Sequence, residues 1–176
     1  MGLFKIGCDF YPEKIAVKLG KKPGEITEED INAIYDYLRP NHFDIDGVPY
    51  TAAKNDYIKD VFKIFDALLP KLKRYHGTVG KNLQFADDEQ LDKFLYVATP
   101  GVDIEFESYL RCFKGETRKE EGSKVKLIIK DSKLGRDMSS IYHGEGEILY
   151  EAYSRFRVLK HANGHGQILV YLKELE

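Results

Sequence analysis

Three short stretches of this chain bring together side chains that can do chemistry. Arg74-Tyr75-His76-Gly77-Thr78 sets an imidazole beside a glycine, where a ligand can approach the backbone closely. A surface histidine ahead of a turn glycine fits the same residues. In Phe94-Leu95-Tyr96-Val97-Ala98-Thr99, Tyr96 alternates against Leu95 and Val97, and Tyr109 follows further on. Two tyrosines can sandwich a flat heteroaromatic ring by offset stacking, or simply fill a core. Tyr142-His143-Gly144-Glu145-Gly146-Glu147-Ile148-Leu149 sets two carboxylates one residue apart. On a strand such residues face one side, so both acids can enter one cleft. One can then hold a sugar hydroxyl while the other handles a proton. A solvated acidic hairpin edge is the other reading.

These stretches need elements to position them. Thr27-Glu28-Glu29-Asp30 makes a capping-box-like start, and Ile31, Ile34, Tyr35 and Leu38 follow on one helical face until Pro40. Residues 41–54 form a loop around Asp46-Gly47 and Pro49. A second helix runs from Asn55 or Asp56 to Leu69, with the stripe Tyr57, Ile58, Val61, Phe62, Phe65, Leu68 and Leu69, and Pro70 ends it. Beyond it the period changes. Leu72 to Gly77 is expected as a short strand, Asp87 to Lys93 as a helix capped near Asp87 or Asp88, and Phe94 to Thr99 as a strand. Residues 104–113 fit either type. Strands follow at 124–130, 147–150, 155–159 and 167–172. Ala162-Asn163-Gly164-His165-Gly166 turns between the last two. Helices first and strands later predict an α+β fold with mainly antiparallel sheets.

The 176 residues suit one domain, 26–176, with an N-terminal extension at 1–25. Apolar residues make up 43% and charged residues 32%, the balance of a soluble globular protein. The balance of 27 Lys+Arg against 29 Asp+Glu argues against a general nucleic-acid coat, although Lys71, Lys73, Arg74 and Lys81 form a local basic run. No apolar run approaches the roughly 20 residues of a membrane helix. The N-terminal MGLFKIGCDF lacks the apolar core of a secretory signal, so a cytoplasmic place of action is expected, in its own or a target cell. Cys8 and Cys112 make no metal pattern with the five histidines, and no metal is expected.

The run Gly135-Arg136-Asp137-Met138-Ser139-Ser140, then Tyr142 to Leu149, then Phe156-Arg157-Val158, resembles the C-terminal half of mono-ADP-ribosyltransferases. These include arginine-directed ectoenzymes, clostridial toxins and bacteriophage enzymes. The family sets a Gly-Arg-Asp-Ile-Ser-like turn before Glu-x-Glu or Gln-x-Glu, then a Val/Ile-Leu strand and a Phe-x-Val strand. Ile31 to Arg39 and Ile64 to Leu69 are similar to the helices ahead of its first catalytic strand, so the resemblance covers roughly residues 27–172. Where the arginine-directed branch carries an Arg before a glycine, this chain carries His76. Where it carries Ser-Thr-Ser, Ala98-Thr99-Pro100 is expected to stand. Tyr75-His76-Gly77-Thr78 instead is similar to the first motif of the diphtheria-toxin and poly(ADP-ribose) polymerase branch, whose two later tyrosines match Tyr96 and Tyr109.

The resemblance implies an ADP-ribosyltransferase-like fold, with N-terminal helices followed by two packed, mainly antiparallel sheets that form an NAD cleft. His76, Gly77 and Thr78 would hold NAD: His76 at a ribose hydroxyl of the adenosine half, Gly77 at the nicotinamide amide. Tyr96 and Tyr109 would stack on the nicotinamide. Glu147 would bond the 2′-hydroxyl of the nicotinamide ribose and steady the oxocarbenium-like cation as the glycosidic bond breaks. Glu145 would face the acceptor, where a carboxylate can orient a guanidinium, and Tyr142 would help recognise it. The function implied is transfer of ADP-ribose from NAD to a macromolecule with release of nicotinamide. A protein arginine is the first acceptor, a nucleic acid the second, and the role that of a toxin, effector or phage enzyme. Its partners would be an inhibitor, an antitoxin or a delivery machine. An NAD glycohydrolase and a non-catalytic module with this fold are the alternatives.

Overall fold

The computed structural model describes residues 21–22, 24–28, 66–106, 109–138 and 146–176. Residues 1–20 and 23 of the expected extension, nearly all of the helix expected after Thr27, most of the second helix, and Tyr142 and Glu145 lie outside them.

After a helical turn at 66–68 and a 3-10 turn at Leu69–Lys71, the elements run β1 (Gly77–Leu83), α1 (Asp88–Val97), β2 (Asp103–Glu105), β3 (Leu110–Lys114), β4 (Val125–Ser132), β5 (Arg136–Asp137), β6 (Glu147–Tyr150), β7 (Arg155–Gly164) and β8 (Gln167–Leu175). The strands expected as two packed sheets are hydrogen-bonded into one, in the order β2-β7-β8-β4-β1-β3-β6-β5. The β4–β8 pair is parallel and the other pairs are antiparallel. The expected β7–β8 turn is present. His165 and Gly166 both adopt positive φ, 52° and 75°, as a two-residue hairpin link with right-handed strand twist requires.

Two local expectations fail for physical reasons. The strand expected at Leu72–Gly77 starts only at Gly77, and before it Arg74 makes an isolated bridge to Arg136. β1 carries two glycines and little apolar alternation, so its pattern is faint; pairing with β3 on one side and β4 on the other holds it in the sheet. The strand expected at Phe94–Thr99 is the second half of α1. Asp87 caps that helix by accepting from the Gln90 N–H at 2.9 Å. Leu91, Phe94 and Leu95, spaced i, i+3 and i+4, pack on the core. A period of 3.6 overrides the short alternation around Tyr96.

The core lies against one face of the sheet. Val79, Leu110, Cys112, Leu127, Ile129, Ile148, Tyr150, Phe156, Val158 and Val170 are buried together there, with α1 and Phe85 and Phe106 around them. The Tyr150 and Phe156 rings meet edge to face, centroids 5.2 Å apart. Since successive strand residues alternate faces, Glu147 and Leu149 on β6, and Arg111 and Phe113 on β3, point to the opposite face. Leu68, Leu69, Met138 and Leu149 are buried outside the core group.

Candidate functional site

Glu147 opens β6 and is 1% exposed. Its cross-strand partner is Phe113, and Arg111 lies one step further along β3 on the same face. Arg111 Nε donates to Glu147 Oε1 at 3.0 Å, and its Nη2 donates to the same oxygen. The Arg111 side chain is 35% exposed, so the pair runs from the interior toward solvent. The guanidinium also stands 5.4 Å from the Phe113 ring, and the Arg111 carbonyl accepts from Lys81 Nζ at 3.0 Å. The backbone fixes the glutamate as well: Met138 N–H donates to its carbonyl at 3.0 Å. A buried carboxylate needs such company, because removing an isolated charge from water is costly.

Nothing in the sequence singles out Arg111. Its signal is only that of an arginine set one residue from a buried cysteine on a strand, with no spacing to tie it to Glu147.

The first strand approaches from the other side. Asp137 N–H donates to the Lys73 carbonyl and Tyr75 N–H to the Gly135 carbonyl, at 2.8 and 2.9 Å, which ties residues 73–75 along β5. The bridge sets Arg74 opposite Arg136, and Arg136 pairs with Leu149. Arg74 and Arg136 therefore share the face of Glu147. Tyr75 packs against the core, and His76, just ahead of β1, is exposed. Lys114 connects the two stretches on the core side. Its Nζ lies 3.0 Å from Asp137 and 5.4 Å from the Tyr75 ring, and its stem passes 3.7 Å from where Gly146 would carry a Cβ.

Gly77 has φ +147°, and a Cβ there would lie 2.8 Å from the Tyr75 hydroxyl. Its bare side is filled by Tyr75, so glycine is required by this chain's own ring. Thr78 donates its hydroxyl to the Lys130 carbonyl at 3.3 Å, across the β1–β4 pair.

The two tyrosines assigned to nicotinamide are placed otherwise. Tyr96 is 86% exposed near the end of α1, the helix covering the core face, opposite to the face of Glu147. Tyr109 is completely buried, and its hydroxyl donates to Asp66 Oδ1 at 2.6 Å, where it pins the helical turn to β3. Ala98-Thr99-Pro100 follows α1 rather than lying in a catalytic strand, and the Ala98 carbonyl accepts from a ring nitrogen of His161 at 2.6 Å. A hollow of about 690 Å³ beside Lys130, Lys160 and Tyr171 contains none of the assigned residues.

Among the described residues, no group of three His, Cys, Asp or Glu is arranged to hold a metal, and no helix is long and apolar enough to cross a membrane.

No protein-family model matches the chain, and no curated protein matches it. Solved structures do. An ADP-ribosyltransferase from Clostridium botulinum superposes with a TM-score of 0.67 at 13% identity, covering 98% of this chain and 98% of that one. The ADP-ribosylating toxin BECa of C. perfringens, solved with NADH, gives 0.68 at 12% identity over 93% of this chain and 46% of that one. The type III effector XopAI from Xanthomonas axonopodis pv. citri gives 0.65 at 15% identity over 86% of this chain, which spans 64% of the effector's length. At such identities the likeness is one of backbone. The chain has the α+β fold of the ADP-ribosyltransferase structures, with Glu147 and its partner Arg111 on adjacent strands of the sheet.

Proposed function

We propose that this chain is an NAD-dependent mono-ADP-ribosyltransferase whose essential carboxylate is Glu147. One observation carries the proposal: in a fold matching ADP-ribosyltransferase structures, the last glutamate of the Glu-x-Glu turn is buried at the head of β6 and gripped by Arg111. A carboxylate held in one position by a guanidinium is preorganised for the ribose of a bound nicotinamide nucleotide. As nicotinamide leaves, C1′ gains positive charge, and a fixed carboxylate on that ribose lowers the barrier without reorganising. NAD is the donor substrate on this proposal, and His76, exposed just ahead of β1, is the candidate for its second ribose. Gly77 and Thr78 shape the backbone beside that histidine. Glu145 and Tyr142 serve the acceptor, with a protein arginine ahead of a nucleic acid; a carboxylate at 145 suits a guanidinium, which carries its charge at all ordinary pH. The action of a toxin or effector fits the company of the fold.

The test is incubation of the chain with labelled NAD, with and without cell extract, followed by protease or nuclease digestion of labelled product. Glu147→Gln should lower both nicotinamide release and label transfer by about 10²–10³; unchanged turnover removes Glu147 from the chemistry. Glu145→Gln should spare hydrolysis of NAD and suppress transfer. Hydrolysis with no labelled macromolecule identifies a glycohydrolase instead, and no thermal shift with millimolar NAD identifies a non-binding module.

A further inference from the structure

We propose that Arg74 and Arg136 form a binding site for a phosphate group on the sheet face that carries Glu147. The two residues are directly opposite in an antiparallel bridge at the β5 edge, so their side chains leave the sheet on the same side. Two like charges so placed repel each other unless an anion joins them.

Among the described residues, no carboxylate lies within ion-pairing distance of either arginine. The adjacent Asp137 pairs with Lys114 at 3.0 Å, and alternation points it to the other face. Glu151 attracts Arg136 only from beyond that distance. Arg136 donates Nη1 to the Leu72 carbonyl at 3.0 Å, which fixes its guanidinium against the 3-10 turn, while its buried Nε has no acceptor. Burial first, and then the charge of Arg74, press the Arg136 pKa below its ordinary value. Arg74 is exposed. One arginine is therefore anchored and the other free to close, a fork suited to the oxygens of phosphate or diphosphate. Arg136 is opposite Leu149, two residues along β6 from Glu147, and so two steps from the carboxylate on the same face.

The anion site stands on the two arginines alone; its place in the reaction rests on the transferase proposal. The phosphate has two sources, the diphosphate of the donor NAD or a phosphate carried by the acceptor. Titration calorimetry with inorganic pyrophosphate at low salt tests the site without any turnover. Wild-type protein should bind it. Arg74→Gln and Arg136→Gln should each weaken binding about tenfold or more, and Arg74→Glu should abolish it. No binding by the wild type at millimolar pyrophosphate, or equal binding by Arg74→Glu, overturns the site. Because Arg136 is partly buried, circular dichroism accompanies its variant, and the exposed Arg74 keeps the test independent of folding. In activity assays, Arg74→Gln raises KM for NAD in acceptor-free hydrolysis if the donor is bound there, and raises KM for the acceptor alone if it is not. Unchanged KM for both overturns the role in the reaction. A failure of Glu147→Gln to reduce turnover leaves the pyrophosphate result standing, so the two proposals fail separately.

Discussion

Glu147 is buried, yet it sits in a sequence of glycines and acids that reads as a surface turn. Arg111 resolves the contradiction, because two of its guanidinium N–H groups converge on one carboxylate oxygen. Breaking a wholly buried pair costs about 3–5 kcal/mol. Solvent reaches Arg111, so the expectation for Arg111→Met is smaller, a loss of about 1–3 kcal/mol in denaturant unfolding. A double-mutant cycle with Glu147→Gln separates the pair from its surroundings. Additive losses in the cycle would show that the two side chains do not stabilise each other. Neither charge nor spacing in the sequence connects residues 111 and 147. The contact exists because β3 and β6 are antiparallel with Phe113 opposite Glu147.

At the level of elements, α1 shows how a local signal and a tertiary one combine. The Asp87 cap was readable, and it is made. The length of the helix was not, because Phe94 to Val97 satisfies both an alternating pattern and a helical one. What decides is the core, which accepts Leu91, Phe94 and Leu95 from one helical face and leaves Tyr96 in solvent. Asp87→Ala should lower the stability of the protein by about 1 kcal/mol, read as a lower midpoint of thermal unfolding, with no change in NAD cleavage since α1 covers the face away from Glu147. A loss of activity without a loss of stability would place α1 at the site after all. β1 is the opposite case: its own sequence argues weakly for a strand, and two neighbours impose one.

Across the whole molecule, a buried polar knot joins distant strands. The Tyr150 hydroxyl on β6 lies 2.7 Å from Ser132 Oγ on β4 and donates to Glu174 Oε1 on β8 at 2.6 Å. Glu174 in turn accepts from the Lys133 and Leu134 N–H groups, holding the chain that leaves β4 for β5. Burial, and then the bond to Glu174, raise the Tyr150 pKa far above its ordinary value of 10.0. The folded state therefore keeps a proton that the unfolded state gives up. This stability is fully present below about pH 10 and is lost progressively as pH rises beyond it. Tyr150→Phe should lower the melting temperature at neutral pH, because Glu174 loses a donor, and flatten its decline above pH 10. An equally steep alkaline decline in the variant would assign that instability to other groups.

The sequence by itself determined in outline the strands at 124–130, 147–150, 155–159 and 167–172, the helix start near Asp87, and a turn within Ala162–Gly166. These are local properties, set by turn chemistry, capping and short-range periodicity. Tertiary structure alone decided that Arg111 meets Glu147, that Tyr109 is walled in against Asp66, that Tyr96 faces away, and that Arg74 stands opposite Arg136. Each depends on which strands become neighbours and in what register, and a shift of one residue in register moves a side chain to the other face of the sheet.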